Sequence, residues 1–244
     1  MPPDEPPPPK DRAKPGRLGP TPRPGRRYSI VVGIAFVALI GFAALNTIRT
    51  NEPGILGAGD DRGTALAQFA VPEARGSLVG DANIAQDDCA SSEIPCPPDE
   101  RRTPACEVRG RDVIRVCDLF NKPLVISFWF TKGGDCLPTQ DVVNDVAKRF
   151  RGRVNFLSIN VRDDRDTVRE LIRQRRWTIP VGEDADGAVS NIYRVGVCPT
   201  VAFAYPGGLL MDAKVGVSEL GEASLVADVR HLLESSRRRA QSDR

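Results

Sequence analysis

The stretch that decides the fold is LVISFWF, residues 124–130, followed by TKGGDCLPTQDVVNDVAKRFRG, residues 131–152. The first part is a continuous apolar run rich in β-branched and aromatic residues, which is typical of a strand buried in the middle of a sheet. The second part ends at Gly152 and carries four apolar residues at helical spacing, Val143, Val146, Ala147 and Phe150. The sequence therefore predicts a buried strand that leads into an amphipathic helix.

Beyond this helix the chain alternates between strand and helix patterns. Three apolar runs are predicted to be strands: VNFLSINV (154–161), VAFAY (201–205) and LLMDAKV (209–215). Three segments have helical patterns: DTVRELIRQRRW (166–177), whose arginines form a solvated face, GAVSNIYRV (187–195), which follows an acidic loop, and EASLVADVRHLL (222–233). The turn Pro206-Gly207-Gly208 predicts that the last two strands form a hairpin. The order predicts an α/β fold, a mixed central sheet of four or five strands with helices on both faces.

The folded domain is predicted to cover residues 104–236. It begins with VRGRDVIRV (108–116), a predicted hairpin with its turn at residues 109–112. Residues 49–103 are rich in Gly, Ala, Asp and Pro without sustained periodicity and are predicted to be a linker. Residues 237–244 are predicted to be a basic tail.

The N-terminal region predicts a membrane anchor. Residues 1–27 hold ten prolines and seven basic residues against three acids, which predicts a disordered tail. Residues 28–48 are 21 residues without a charge, about 30 Å of helix, which predicts one transmembrane helix. A cleaved secretory signal is disfavoured because its apolar region is shorter, and a buried core helix because it rarely lacks every polar face. The basic tail predicts a single-pass protein of the cell membrane, with the N-terminus cytoplasmic and the C-terminal domain extracytoplasmic.

The cysteines agree with that placement. The six thiols are even in number and all follow the predicted anchor, where disulfides persist: Cys89, Cys96, Cys106, Cys117, Cys136 and Cys198. No C-x-x-C is present, the spacings match no zinc pattern, and the single histidine, His231, excludes centres that need two imidazoles, so no metal is expected. A formal net charge of +2 disfavours a nucleic-acid partner, so none is expected. Six cysteines allow about 15 pairings, which the spacing does not resolve.

Two short cysteine spacings suggest structural disulfides. Cys106 and Cys117 lie near the two ends of the predicted hairpin, so a bond between them would close a short loop. Cys89 and Cys96 bracket ASSEIP and could clip a small loop in the linker.

Two segments carry a resemblance to a known family. FWFTKGGDCLPTQ (128–140) resembles the active-site segment of membrane-anchored thioredoxin-fold proteins of the TlpA-like or redoxin family, in which F-W-A-x-W-C-x-x-C joins the central strand to its helix. Phe128 and Trp129 match, Cys136 occupies the second cysteine position, and Gly133 stands in the first, so the motif is degenerate. VGVCPT (195–200) resembles the loop in which this family places a cis-proline, matched here by Pro199.

The resemblance implies a thioredoxin-like fold over residues 104–236, and that Cys136 and Cys198 are neighbours within disulfide reach. The two cysteines are then a redox-active pair, a permanent structural bridge or two separate thiols. In the first case we expect Cys198 to be the exposed sulfur and Cys136 the resolving one. Trp129, Gly133 and Pro199 are the residues expected to bind substrate.

Two function classes follow. The first is an extracytoplasmic thiol–disulfide oxidoreductase that needs no organic cofactor and acts on protein thiols or disulfides in the cell envelope through Cys136 and Cys198. The second is a redox-silent binding module with structural disulfides only, which holds a protein partner in the groove around Trp129 and Pro199.

Overall fold

A computed structural model of the chain describes residues 32–40, 63–80, 82, 103–132, 134, 136–216 and 220–242. The chain divides into two compact units, Met1–Asn51 and Glu52–Arg244. In the first unit, residues 32–40 are helical. The rest of the predicted span 28–48 and the predicted tail 1–27 lie outside the described residues. Among the helices that are described, none has the length and apolar character needed to cross a bilayer.

The described residues of the second unit form seven strands and four helices. The strands are β1 (Ala70–Pro72), β2 (Val113–Arg115), β3 (Leu124–Trp129), β4 (Asn155–Val161), β5 (Val181–Asp184), β6 (Thr200–Ala204) and β7 (Leu210–Val215). The helices are α1 (Leu137–Arg149), α2 (Arg165–Arg175), α3 (Ala188–Ile192) and α4 (Glu222–Ser242). Short 3-10 helices cover Ala105–Glu107 and Val116–Leu119.

A five-stranded mixed sheet in the order β5-β4-β3-β6-β7 forms the centre. β3, β4 and β5 are parallel, while β6 is antiparallel to both β3 and β7. β3 lies in the middle, and all six of its residues are buried, because its neighbours cover both of its edges and apolar layers cover both of its faces. The predicted mixed sheet and the hairpin around Pro206 are confirmed.

The helices pack on both faces of this sheet. On one face, α1 and α4 bury their apolar sides against Val125 and Phe203. The four residues expected on the buried side of α1 are all buried, as the helical spacing predicted: Val143, Val146, Ala147 and Phe150. The opposite face is covered by Val189 of α3, by Tyr193, which directly follows α3, and by residues that precede β2.

Residues 63–80, which we call the strap, cross that opposite face. Leu66, Phe69 and Val71 are buried against the same cluster as the central strand. Ala65 forms a bridge with Leu209 beside β7, and Glu73 forms one with Gly182 in β5, so the strap reaches both edge strands. The predicted linker over 49–103 and the domain start at 104 are therefore wrong for this stretch. The apolar residues of the strap lack a regular period because the strap crosses the central sheet and is not one of its strands.

The C-terminal part of the strap, residues 73–78, accepts hydrogen bonds from arginines of α2. Arg165 donates to the carbonyl oxygens of Glu73 at 3.2 Å and Gly76 at 2.8 Å, and also to that of Leu78. Arg169 donates to the carbonyl oxygen of Ala74 at 2.8 Å and to that of Gly76. Arg169 was expected in the solvated face of the predicted helix 166–177, and that expectation is wrong because the strap supplies otherwise unpaired carbonyl groups beside the helix.

The predicted hairpin over 108–116 is also wrong. β2 pairs with β1 of the strap, with Ile114 opposite Val71. The residues on both sides of β2 form the two 3-10 helices and turns, and the Cys106–Cys117 disulfide joins those helices across a Cα–Cα distance of 5.7 Å. The backbone partner of β2 thus comes from the segment that the sequence pattern placed in a linker.

Two further boundaries differ from the predictions. β5 occupies part of the predicted acidic loop, and its four residues are buried although two are acidic. Its carboxylates find partners: Glu183 accepts from Arg165 at 2.6 Å, and Asp184 accepts from the backbone N–H groups of Val189 and Ser190. α4 continues to Ser242, so most of the predicted basic tail 237–244 is helical.

Candidate active site

The candidate site lies where the helix after the central strand begins. Cys136 immediately precedes α1, and Cys198 immediately precedes Pro199, which is joined to it by a cis peptide bond. The two cysteines form a disulfide across a Cα–Cα distance of 5.9 Å, although 62 residues separate them in sequence. The chain folds this way because β3 and β6 are neighbours, which brings the start of α1 beside the loop that enters β6. In this structure the two cysteines are bonded to each other and are not two separate thiols.

The two sulfur-bearing residues differ in their exposure. Cys136 is 0% exposed and belongs to a buried cluster below the disulfide. Cys198 is partly exposed, with its Sγ 3.9 Å from the carbonyl oxygen of Phe130. An incoming thiolate must reach a sulfur atom to exchange with it. Cys198 is therefore the accessible end of the bond.

Trp129 lies in the buried cluster beneath the disulfide and not at the surface. It is 1% exposed, and its ring contacts that of Trp177 edge to face, with centroids 5.1 Å apart. The expectation that Trp129 lines a substrate groove is wrong for this conformation. As the last residue of β3, it lies on the face that α2 covers, so its ring supports the cysteines from below.

A buried polar network ties α1 to the two central strands under this site. Gln140 donates to Ser158 Oγ at 2.8 Å and accepts from Ser127 Oγ at 3.0 Å. Trp129 Nε1 also donates to Ser158 Oγ, at 2.7 Å. Our sequence reasoning missed these residues, although a signal was available. Ser127 and Ser158 interrupt apolar strands, and a buried hydroxyl needs a hydrogen-bond partner.

Asp163 fixes the loop that leaves β3. Its carboxylate accepts from the Thr131 backbone N–H at 2.8 Å and from Thr131 Oγ1 at 2.6 Å. Asn160 Nδ2 donates to the same carboxylate at 2.7 Å. The loop after β4 therefore supports the loop that leads to Cys136. Sequence analysis did not single out Asp163, since an acid after a strand has many possible uses.

The remaining predicted site residues are placed as follows. Pro199 is buried, and its carbonyl oxygen accepts from Gly216 N–H at 2.9 Å, so it is a fixed part of the loop and does not form an exposed contact surface. Gly133 lies outside the described residues, as do Cys89 and Cys96. Cys117 packs against the cluster on the opposite sheet face from Cys136, so the Cys106–Cys117 disulfide is separate from the candidate site.

Comparisons with known proteins bear on this arrangement. No family model matches the chain. A curated relative, Thiol-disulfide oxidoreductase ResA of Oceanobacillus iheyensis, is 23% identical over 124 residues, which are 50% of this chain and 65% of that protein. The chain thus matches slightly less than two thirds of the length of ResA.

Two solved structures from Chlorobium tepidum share the architecture. A putative thiol:disulfide interchange protein DsbE has a TM-score of 0.52 and 14% identity, over 70% of this chain and 97% of its own. The fold is thioredoxin-like. A thiol:disulfide interchange protein of the thioredoxin family has a TM-score of 0.50 and 15% identity, over 72% and 99%. ResA is named as a thiol-disulfide oxidoreductase, in agreement with the oxidoreductase interpretation of the sequence. The two solved structures, at 14% and 15% identity, show the shared fold.

Proposed function

We propose that this protein is a thiol–disulfide oxidoreductase that exchanges disulfides with the cysteines of other proteins through Cys136 and Cys198. The observation that carries the proposal is the unequal exposure of the two residues within one disulfide: Cys136 is fully buried and Cys198 is partly exposed. Such a bond offers a single sulfur to an incoming thiolate, and the other sulfur is retained as the leaving and resolving group.

The chemistry proceeds in two exchanges. A substrate thiolate attacks Cys198 Sγ, the bond between Cys198 and Cys136 breaks, and the Cys136 sulfur leaves with the electron pair and takes up a proton. A second substrate thiolate then attacks the substrate sulfur of the mixed disulfide and releases Cys198. Two substrate thiols become a disulfide and the protein disulfide becomes two thiols; the same steps in reverse reduce a substrate disulfide.

The position of Cys136 favours its role as the leaving group. It directly precedes α1, a helix of 13 residues, whose N-terminus carries a partial positive charge from unpaired backbone N–H groups. A negative sulfur at this point is stabilised by that charge. The buried network through Gln140 keeps the start of α1 in register with β3, which holds Cys136 close to Cys198 for resolution.

We also place the redox domain outside the cytoplasm, tethered to the membrane by residues 28–48. The uncharged length of that segment, the basic residues before it and the even number of cysteines after it support this part of the proposal. A reporter enzyme that is active only outside the cytoplasm, fused after Arg244, is expected to be active. Activity of a reporter that works only in the cytoplasm would contradict the placement.

The decisive experiment measures how easily each disulfide is reduced. The full chain is equilibrated with glutathione buffers of graded potential, and each bridge is mapped by mass spectrometry. We expect Cys136–Cys198 to be reduced under milder conditions than Cys106–Cys117, because structural bridges have potentials below about −300 mV. If both bonds resist reduction equally, the domain is a redox-silent binding module.

A trapping experiment identifies the attacking sulfur. Cys136→Ser leaves Cys198 exposed without a resolving partner, so mixed disulfides with substrate proteins should accumulate through Cys198. Cys198→Ser is the matched control, because it leaves only the buried Cys136 and should trap far less. More trapping through Cys136 than through Cys198 would contradict the assigned roles.

A further inference from the structure

Gly134 lies directly beside the disulfide. A Cβ atom placed on this residue would be 3.3 Å from Cys198 Sγ and 3.5 Å from Cys136 Sγ, at or inside the separation at which non-bonded heavy atoms pack best. Gly134 is itself exposed. A side chain at this position would therefore lie against the sulfur of Cys198, the partly exposed residue of the pair.

The backbone does not itself require glycine at this point. Gly207 and Gly208 of the β6–β7 turn have positive φ values of 86° and 80°, which favour glycine, whereas Gly134 does not lie in that left-handed region. Apart from its two chain neighbours, the atoms nearest to its added Cβ are the two sulfurs. What glycine provides here is an opening over the disulfide.

We propose that Gly134 is a specificity-determining residue whose missing side chain admits a cysteine within a polypeptide to Cys198. The inference rests on the proposed oxidoreductase function and names the substrate class of that site. A cysteine in a polypeptide carries backbone on both sides of its sulfur, and this backbone must pass beside the disulfide when the sulfur reaches Cys198. A small thiol lacks those flanking residues, so it needs less of the opening.

The step that the opening serves is the first exchange. The substrate sulfur bonds to Cys198 Sγ as the Cys136–Cys198 bond breaks, and Cys136 becomes a thiolate that takes up a proton. A second cysteine of the same polypeptide then displaces Cys198 from the mixed disulfide. Two substrate thiols are oxidised while the protein disulfide is reduced to two thiols, so no further oxidant is required.

The test compares two thiols on the oxidised full chain. The wild type, Gly134→Ala and Gly134→Val are mixed with 2-mercaptoethanol or with a reduced, unfolded polypeptide that contains two cysteines, and the loss of the Cys136–Cys198 bond is followed over time. Gly196→Ala is the matched control, because Gly196 is exposed two residues before Cys198 and its added Cβ meets no atom within 4 Å. The equilibrium with glutathione is measured for every variant, which separates a change in access from a change in bond stability.

We expect Gly134→Val to react about tenfold or more slowly with the polypeptide, while its rate with 2-mercaptoethanol and its glutathione equilibrium stay near those of the wild type. Gly134→Ala should show a smaller loss of the same kind, and it provides the comparison if the valine variant does not fold. Equal slowing with both thiols, or no slowing with the polypeptide, would overturn the inference. A wild-type disulfide that reacts with neither thiol would overturn the proposed function instead.

Discussion

Phe69 lies edge-on against Tyr193, with ring centroids 5.6 Å apart and ring planes at 81°. Phe69 belongs to the strap, and Tyr193 follows α3 in the segment that leads to Cys198. The Tyr193 hydroxyl also donates to the carbonyl oxygen of Ala67, at 2.7 Å. The strap is therefore part of the core that supports the candidate site.

The first prediction concerns this aromatic contact. Phe69→Ala should lower the free energy of unfolding by about 3–5 kcal/mol, because it leaves a cavity at a fully buried position. Val79→Ala in the same strap is the control, since Val79 is 79% exposed and should change stability by no more than about 0.5 kcal/mol. Chemical denaturation measures both. If the two variants lose similar amounts of stability, the buried contact of Phe69 does not stabilise the core more than an exposed residue of the strap does.

The second prediction concerns the minimal folding unit. A fragment that covers 104–236 lacks the strap, so it exposes the face of β3 that carries Leu124, Ile126 and Phe128. It should show no cooperative thermal transition, whereas a fragment over 63–242 should show one. A sharp transition in the shorter fragment would contradict the role that we assign to the strap.

The third prediction tests the arginine contacts. Arg169→Ala removes a guanidinium that holds Ala74 and Gly76. The Ala74 carbonyl oxygen then loses its arginine donor, while that of Gly76 keeps Arg165. We expect a loss of about 1–3 kcal/mol in the free energy of unfolding and faster amide hydrogen exchange in residues 73–78 of the strap. Arg173→Ala, on the same helix, removes an exposed ion pair with Glu170 and should cost at most about 1 kcal/mol. If both variants change hydrogen exchange equally, Arg169 does not specifically hold the strap against α2.

The fourth prediction tests the polar network below the cysteines. Ser158→Ala leaves the buried Trp129 Nε1 and the Gln140 amide without their shared acceptor, which should cost about 1–3 kcal/mol of stability. It should also change the tryptophan fluorescence, since Trp129 loses its hydrogen bond. Ser235→Ala, in a half-buried position on α4, is the control. An unchanged spectrum together with unchanged stability would show that the network does not hold Trp129.

The fifth prediction concerns pH. Burial raises the pKa of Asp184 above its ordinary 3.8, although the N–H groups of Val189 and Ser190 oppose the shift. A raised folded-state pKa means that the folded state keeps the proton longer, so this group's contribution to stability falls as pH rises from about 4 through that pKa. Relative to Asp184→Asn, the wild type should therefore lose stability over that window in denaturant unfolding at a series of pH values. If the wild type instead gains stability relative to Asp184→Asn as pH rises, the pKa of Asp184 is lowered in the folded state and not raised.

Sequence periodicity predicted the elements that bury one regular face. β3, α1 and the β6–β7 hairpin were found because their apolar residues recur at the strand or helix period, and their burial follows that pattern. β5 was missed because Glu183 and Asp184 remove the apolar signal, and only the folded structure supplies Arg165 and two backbone N–H groups as their partners.

The candidate site was predictable in part. The resemblance placed Cys136 beside Cys198, whereas the burial of Trp129 depends on how α2 packs, which strand and helix periods do not specify. The opening at Gly134 depends on a distance between that residue and sulfurs from two separate loops. No spacing along the chain encodes such a distance.

The course of the strap bears on how copies of this protein behave when they are crowded together. Exposed sheet edges carry unpaired N–H and C=O groups, and these can recruit a strand from a neighbouring molecule. The strap contacts both edge strands. The Ala74 N–H group donates to the carbonyl oxygen of Val181 in β5 at 2.8 Å, and the Leu210 N–H group in β7 donates to the carbonyl oxygen of Thr64 at 2.8 Å. One short segment thus blocks part of each of the two lateral routes to intermolecular β-pairing and protects the protein against edge-to-edge aggregation.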